Sequence, residues 1–311
     1  MMDIDFVRRL REGWLQRSIK ISVLKGGISN EIYLVEDGDR FYKVRIPGKN
    51  TNFFSDRDGE ITDLKALEKT DIIWKPDSNP TGVIPGVIDY QKDSKISIFS
   101  FVPGITAKKE DFKNPKIRAR AIASVKRIHK CGVKFCRTLS LFTEIDRYAN
   151  RLKGYEDYIM RDYPIDKFMK LTNTIQAELQ EDRVKPVPCH NDLLSDNFIL
   201  SDDRVHIIDW EFGGMNDPRF EIADLLIEHD DILTESDEDD VLQLYFGEQK
   251  NAMRGGVDRY KFIADYFWGL WAVIQYNVSE LDFDFEKYAR DRFDVSLRHV
   301  DMLKERYSIP F

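Results

Sequence analysis

The sequence predicts an α+β chain in two parts: a small antiparallel sheet with one packed helix, then a larger, mainly helical body. Three observations carry this. Strand-like runs of β-branched and aromatic residues dominate the first third of the chain, helical periodicity takes over beyond "VPGIT", and one strand-like island, "CHNDLLSDNFILSDDRVHIIDWEF", interrupts the helices. No internal repeat or long Pro/Gly/Ser linker separates the parts, so residues 1–102 and 103–311 are expected as two lobes in contact.

Taken in order, "SIKISVLKGG", "NEIYLVED" and "RFYKVRIPG" read as three antiparallel strands, the last two joined at the Asp-Gly of "EDGDR". "SDRDGEITDLKALEKT" reads as a capped helix with Ile61, Leu64 and Leu67 on one stripe. "GVIPGVIDY" and "KISIFSFV" flank the polar turn "QKDSK" and add two strands. Helical patterns follow in "KIRARAIASVKRIHKCG", "IDRYANRLKGYEDYIM" and "KFMKLTNTIQAELQED". After the island they return in "RFEIADLLIEHDD", "DEDDVLQLYFGEQK", "YKFIADYFWGLWAVIQYNV" and "FEKYARDRFDVSLRHVDMLKERY".

At 311 residues and 42% hydrophobic content the chain can bury a sizeable core. A net charge of -8 gives no global electrostatic reason to bind nucleic acid or an anionic membrane, so a small-molecule partner is expected. Cys131, Cys136 and Cys189 lack metal-ligand spacing and are expected as free thiols in a reducing compartment. The opening "MMDIDFVRRLREGW" has no signal-like apolar core, and no apolar run approaches the roughly 20 residues of a membrane span. A cytoplasmic protein is expected.

The island carries the chemistry. "HNDLLSDN" has the form H-x-D-x-x-x-x-N, and "IIDWE" puts a second aspartate at the end of an apolar strand. Phosphoryl transfer needs a carboxylate to take the acceptor's hydroxyl proton and further oxygen ligands for Mg²⁺. Asp192 fits the first role, and Asn197 and Asp209 fit the second, brought together by a hairpin over "FILSDDRVHII". His190 is expected to orient backbone. Either fragment alone reads as a turn with a capping aspartate; their order on one hairpin is what points to catalysis.

"HNDLLSDNFIL" followed by "IDWEFGGMNDPRFEIADLL" resembles the choline/ethanolamine kinase family. That family lies within a wider group that includes aminoglycoside phosphotransferases and shares the two-lobed, protein-kinase-like fold. The resemblance is closest to the bacterial choline kinase type and runs from "GGISNEIYLV" to "YARDRF", with D-W-E-[FY]-x-x-M-N-D-P as its most specific part. It implies an ATP- and Mg²⁺-dependent kinase of choline or a related amino alcohol, with residues 1–102 binding the nucleotide and 103–311 carrying catalysis and the acceptor.

On the nucleotide side, the turn in "KGGISNEIYLV" is expected to cradle phosphate oxygens with Gly26, Gly27, Ser29 and Asn30. "FYKVRIPG" offers Lys43 and Arg45 on one strand face. The resemblance aligns Arg45 with the phosphate-gripping base, leaves Lys43 as a flanking charge, and makes Glu60 the helix partner of Arg45. A surface pair of Glu60 with Lys65 or Arg57 is the plain alternative. Backbone around Ser100 and Phe101 is expected to bind adenine.

On the acceptor side, Trp268 and Trp271 share a helix face, a spacing that by itself reads as core. The resemblance makes this W-x-x-W a box for a quaternary ammonium, extended by Phe212, Phe283, Phe285 and Tyr288. Each cation–π contact is worth about 0.5–2 kcal/mol. Phe212 and Phe285 stand where tyrosines are common in the family, which keeps the faces and removes hydroxyls. Glu211 and Glu228 are candidate anionic neighbours, with Glu211 alternatively supporting the metal ligands. Three readings follow: a choline kinase, a kinase of ethanolamine or an aminoglycoside, and a kinase-fold binding module without turnover. The tryptophan pair argues against an aminoglycoside cleft, which the acidic "EHDDILTESDEDD" keeps open as a minor reading.

Overall fold

The computed structural model describes residues 4–24, 30–48, 56–153, 158–202, 204–279 and 281–311. Two short helices, α1 (Ile4–Arg9) and α2 (Glu12–Leu15), come first, where the sequence pattern gives no helix. Helices this short are unstable alone. They form because Val7, Leu10 and Trp14 pack with Tyr33, Val35, Tyr42 and Val44 in one apolar cluster on the sheet, the Trp14 and Tyr42 rings 5.6 Å apart.

Strands β1 (Lys20–Leu24), β2 (Asn30–Asp37) and β3 (Arg40–Pro47) make the expected antiparallel start. Asp37 pairs with Arg40 across the Gly38-Asp39 turn, and Gly38 takes the left-handed φ of +61° that this hairpin requires. Helix α3 (Arg57–Ala66) is capped by Asp56, whose side chain accepts from the Gly59 N–H, and it buries Ile61 and Leu64 with Leu67 just beyond its end. The stretch "GVIPGVIDY" divides. Strand β4 (Ile73–Trp74) pairs in parallel with β5 (Ile84–Pro85), while β6 (Val87–Gln91) pairs antiparallel with β7 (Ile96–Ser100). The resulting order β1-β2-β3-β7-β6 puts β3, with Lys43 and Arg45, at the centre of the sheet.

The chain then crosses through "VPG" to β8 (Ile105–Thr106), which pairs with Ile199 and Leu200. Gly104 is required at this crossing. Its φ is +153°, and a Cβ there would lie 2.5 Å from the Leu200 carbonyl oxygen.

Helices α4 (Pro115–His129), α5 (Leu141–Leu152), α6 (Tyr158–Arg161) and α7 (Ile165–Glu181) follow. Then come β9 (Val187–Cys189), the hairpin β10 (Phe198–Leu200) and β11 (Val205–Ile207), and β12 (Gly214–Asn216), which pairs with β9. The remainder is α8 (Pro218–Ile227), α9 (Glu235–Phe246), α10 (Lys250–Val278) and α11 (Phe285–Tyr307). Over its middle turns α10 is mostly apolar, which is why it sits at the centre and buries Phe262, Ile263, Tyr266, Phe267 and Leu270 against its neighbours. One apolar cluster runs from Ile61 of α3 to Leu303 of α11, so sheet and helical body share a core. Among the described residues no helix is long and apolar enough to cross a membrane. All three cysteines are unpaired.

Candidate functional site

The β10–β11 hairpin does what its sequence predicts. Ile208 N–H donates to the Asn197 carbonyl oxygen at 2.9 Å, which sets Asn197 beside Asp209. Asn191 and Asp209 both adopt left-handed backbone, with φ of +68° and +67°, a region that short polar residues enter at low cost. Asn191 Nδ2 donates to the Phe212 carbonyl (2.9 Å) and Asn216 Nδ2 to Asn191 Oδ1 (2.9 Å), tying the loop before Asp192 to the segment after Asp209. His190 is buried and holds backbone: its N–H donates to the Glu221 carboxylate, and its Nε2 lies 2.8 Å from the Ile208 carbonyl. Burial pushes its pKa down, so it is neutral there.

Asn197 Nδ2 donates to the Asp192 carbonyl (2.8 Å) and to Asp192 Oδ2 (3.1 Å), and Asp209 Oδ1 accepts from Arg45 (3.1 Å). That leaves Asn197 Oδ1 and Asp209 Oδ2 without a donor among the described residues. An amide oxygen and a carboxylate oxygen on adjoining residues are the hard donors that Mg²⁺ takes.

On the sheet side, Glu60 is fully buried and Arg45 grips it through both terminal nitrogens, at 2.6 and 2.9 Å. Glu60 is therefore not part of a surface pair. Arg57, which sequence patterning offers only as a surface partner, is 2% exposed. It reaches Glu60 (3.3 Å), Asn30 Oδ1 (3.0 Å) and Glu211 (2.6 Å), so one guanidinium joins the start of β2, helix α3 and the "DWE" segment. Its sequence signal is the i,i+3 spacing from Glu60, but Glu211 lies 154 positions away and only the fold brings it near. Glu211 is thus tied to helix α3 through Arg57. Asn30 opens β2, while Gly26, Gly27 and Ser29 lie outside the described residues. The Ser100 and Phe101 amides are committed to the Gly86 and Phe41 carbonyls (2.9 and 3.0 Å), which makes Val102 the first amide beyond the ladder.

The aromatic residues assemble into one wall. Trp268 and Trp271 lie 5.9 Å apart at 85°, Phe212 meets Trp268 at 5.4 Å, and Phe285 and Tyr288 meet Trp271 at 5.9 and 6.2 Å. Phe283, 41% exposed, forms the rim against Phe285 and Tyr288. Trp268 Nε1–H donates to Asp224 Oδ1 (2.9 Å), whose second oxygen accepts the Leu193 N–H (2.6 Å). Asp224, absent from the sequence expectations, therefore links the wall to the residue following Asp192. Its visible signal is a lone carboxylate inside the apolar "IADLLI". Glu228, one turn on, is paired with Arg292, which it shares with Asp265 (3.0 Å).

The three aspartates titrate in opposite directions. Burial opposes ionisation of Asp209, but Lys43 and then Arg45 outweigh it and hold the carboxyl at about 2. Burial first, then Asp224 and Glu211, pushes Asp192 well above its ordinary value. Burial and then Glu228 raise Asp224 to about 8.

An antiparallel sheet over a helical body, with a carboxylate loop and a metal-type hairpin beneath it, defines a kinase-like small-molecule phosphotransferase. The chain belongs to the phosphotransferase enzyme family, whose family model matches residues 20–260; a model for choline/ethanolamine kinase matches residues 245–297. Mouse ethanolamine kinase 2 is 25% identical, aligned over 94% of this chain and 79% of its own length. Protein LicA of Haemophilus influenzae is 28% identical over 60% of this chain, and the match spans 55% of that protein. The crystal structure of a choline/ethanolamine kinase family protein from Mesorhizobium loti superposes with a TM-score of 0.78 at 26% identity, covering 96% of this chain and 94% of that one.

Proposed function

We propose that the protein transfers the γ-phosphate of ATP to the hydroxyl of choline, giving phosphocholine. The observation that carries this is the aromatic wall ending at a buried carboxylate. A trimethylammonium group has no N–H to donate, so it is held by ring faces and by unneutralised negative charge. Phe212, Trp268, Trp271, Phe285 and Tyr288 supply the faces, and Asp224, a carboxyl that ionises as the cation binds, supplies the charge. Ethanolamine is the second reading, favoured by the ethanolamine kinase relatives; its primary ammonium can also sit in an aromatic box, but phenylalanines at 212 and 285 offer its N–H groups no hydroxyl acceptor.

Asp192 takes the hydroxyl proton as the acceptor oxygen bonds to the γ-phosphorus and the bond to the ADP oxygen breaks. Asn197 holds the Asp192 carboxylate through Oδ2. Arrival of a cation lowers the electrostatic cost of ionising Asp192 among Asp224, Glu211 and Glu228. Asn197 and Asp209 would hold Mg²⁺, which when bound neutralises charge on the phosphates. Lobes 1–102 and 103–311 divide the work between nucleotide and acceptor.

The test is incubation with Mg·ATP and a panel of choline, ethanolamine and aminoglycosides, followed by ³¹P NMR. Phosphocholine is the expected product. No phosphorylated amino alcohol from any member of the panel would leave a binding module as the better reading.

A further inference from the structure

We propose that Arg137 is a positioning residue for phosphoryl transfer. It clasps helix α3 to the backbone that follows Asp209, and so fixes Glu60 and Asp209 relative to each other before a nucleotide arrives. This rests on the kinase reading.

Arg137 lies between α4 and α5, in a stretch that runs extended beside β12. Met215 N–H donates to the Arg137 carbonyl (2.8 Å) and Leu139 N–H to the Met215 carbonyl (3.2 Å), while Phe135 is buried with its ring 6.1 Å from that of Trp210. The guanidinium therefore reaches out from a backbone that is itself held on the Trp210 side.

From there the side chain crosses between the two parts of the chain. Nε donates to Asp63 Oδ2 on α3 (2.8 Å), Nη1 to the Glu211 carbonyl (2.9 Å) and Nη2 to the Trp210 carbonyl (3.1 Å), so each nitrogen has a partner. The other Asp63 oxygen accepts the Cys136 N–H (2.5 Å), and Asp63 is 1% exposed. A planar fork meets one carboxylate and two successive carbonyls at once, which an ammonium on a flexible stem does not. Asp63 stands one turn beyond Glu60 on α3. Glu60 grips Arg45, and Arg45 donates to Asp209. The connections close a ring that runs from Asp209 along the backbone to Glu211, through Arg137 and Asp63 into α3, and back through Glu60 and Arg45.

Helix α3 is shaped for this side chain. A Cβ at Gly59, the residue before Glu60, would lie 2.5 Å from Arg137 Cδ, so a glycine stands where the stem passes. Arg57 holds the Glu211 carboxylate from the same helix (2.6 Å), so Glu211 is fixed at its side chain by one arginine and at its carbonyl by another. Losing Arg137 leaves α3 packed in the core and tied through Arg57, but releases the backbone beside Asp209.

The test compares full-length wild type, Arg137→Lys, Arg137→Gln and Asp63→Asn by steady-state kinetics, thermal melting and calorimetric titration with ATP, with and without Mg²⁺. Arg137→Lys keeps a cation beside Asp63 and should melt near the wild type. Its kcat should fall about 10- to 100-fold, and its affinity for Mg·ATP should fall on the same scale while metal-free ATP binds as before. Choline KM should stay within about twofold, because Asn191 holds the Phe212 carbonyl independently. Asp63→Asn should give the same split to a smaller extent, and adding it to Arg137→Gln should lower kcat no further, because both act through one clasp. Wild-type kcat in both Arg137 variants, or kcat losses that follow a lowered melting temperature and raise both KM values alike, overturns the positioning role while the kinase reading stands. Wild-type protein that neither binds ATP nor phosphorylates any amino alcohol overturns both.

Discussion

The two halves of the site handle buried charge in opposite ways. On the proposed nucleotide side Arg45 and Arg57 meet Glu60, Asp209 and Glu211 in direct pairs, and the Asp209 carboxyl is held below its ordinary value, at about 2. On the proposed acceptor side Asp192 and Asp224 lie near each other and near Glu228, with no ion-pair partner among the described residues, and both are raised. The paired side is assembled before any ligand arrives. The unpaired side stores an electrostatic demand that a cationic acceptor meets, so its affinity and its chemistry are coupled.

The largest expected effect comes from removing the base. Asp192→Asn should lower kcat by about 10²–10⁴-fold with ATP affinity largely retained, as read by steady-state kinetics and nucleotide titration. Near-normal turnover would remove Asp192 from the proton step. Next, Glu60→Ala leaves Arg45 buried with Asp209 as its one carboxylate partner among the described residues, and should cost about 3–5 kcal/mol of stability in a denaturant melt. The contrast between the halves would collapse if Glu60→Ala melted like wild type.

Much of this pattern could be read from the chain. Period-two and period-3.6 repeats identify the sheet, α3 and the long helices, and the Asn197–Asp209 hairpin follows from two apolar runs around a polar turn. What the sequence does not display is partner choice across distance. Arg57 looks like a surface residue of a helix start until Glu211 is folded against it. Asp224 looks like an interruption of an apolar stripe until Trp268 donates to it. The first two helices have no stable existence apart from the sheet face that Trp14 covers. Likewise the expectation that backbone around Ser100 and Phe101 meets adenine cannot anticipate that both amides are taken by the Gly86 and Phe41 carbonyls.

Smaller effects sharpen the acceptor half. Trp271→Leu removes one ring face and should raise the choline KM by about 2- to 30-fold, the equivalent of 0.5–2 kcal/mol, without changing the KM for ATP. Equal changes in both would mean that Trp271 acts only by packing. A carboxyl raised to about 8 is protonated below that pH, and a cation prefers the ionised form. Choline affinity should therefore rise with pH through about 8 and level off above it, changing about fivefold between pH 7 and 8. Asp224→Asn should flatten this profile. A profile that falls with rising pH would have the wrong sign for an acid that must ionise to bind the cation.

The most direct measurement is the ratio of kcat/KM for choline to that for ethanolamine, taken with saturating Mg·ATP. A wall of phenyl and indole faces around an unneutralised carboxylate predicts a ratio well above one. A clear preference for ethanolamine would contradict the assignment of that wall to a quaternary ammonium.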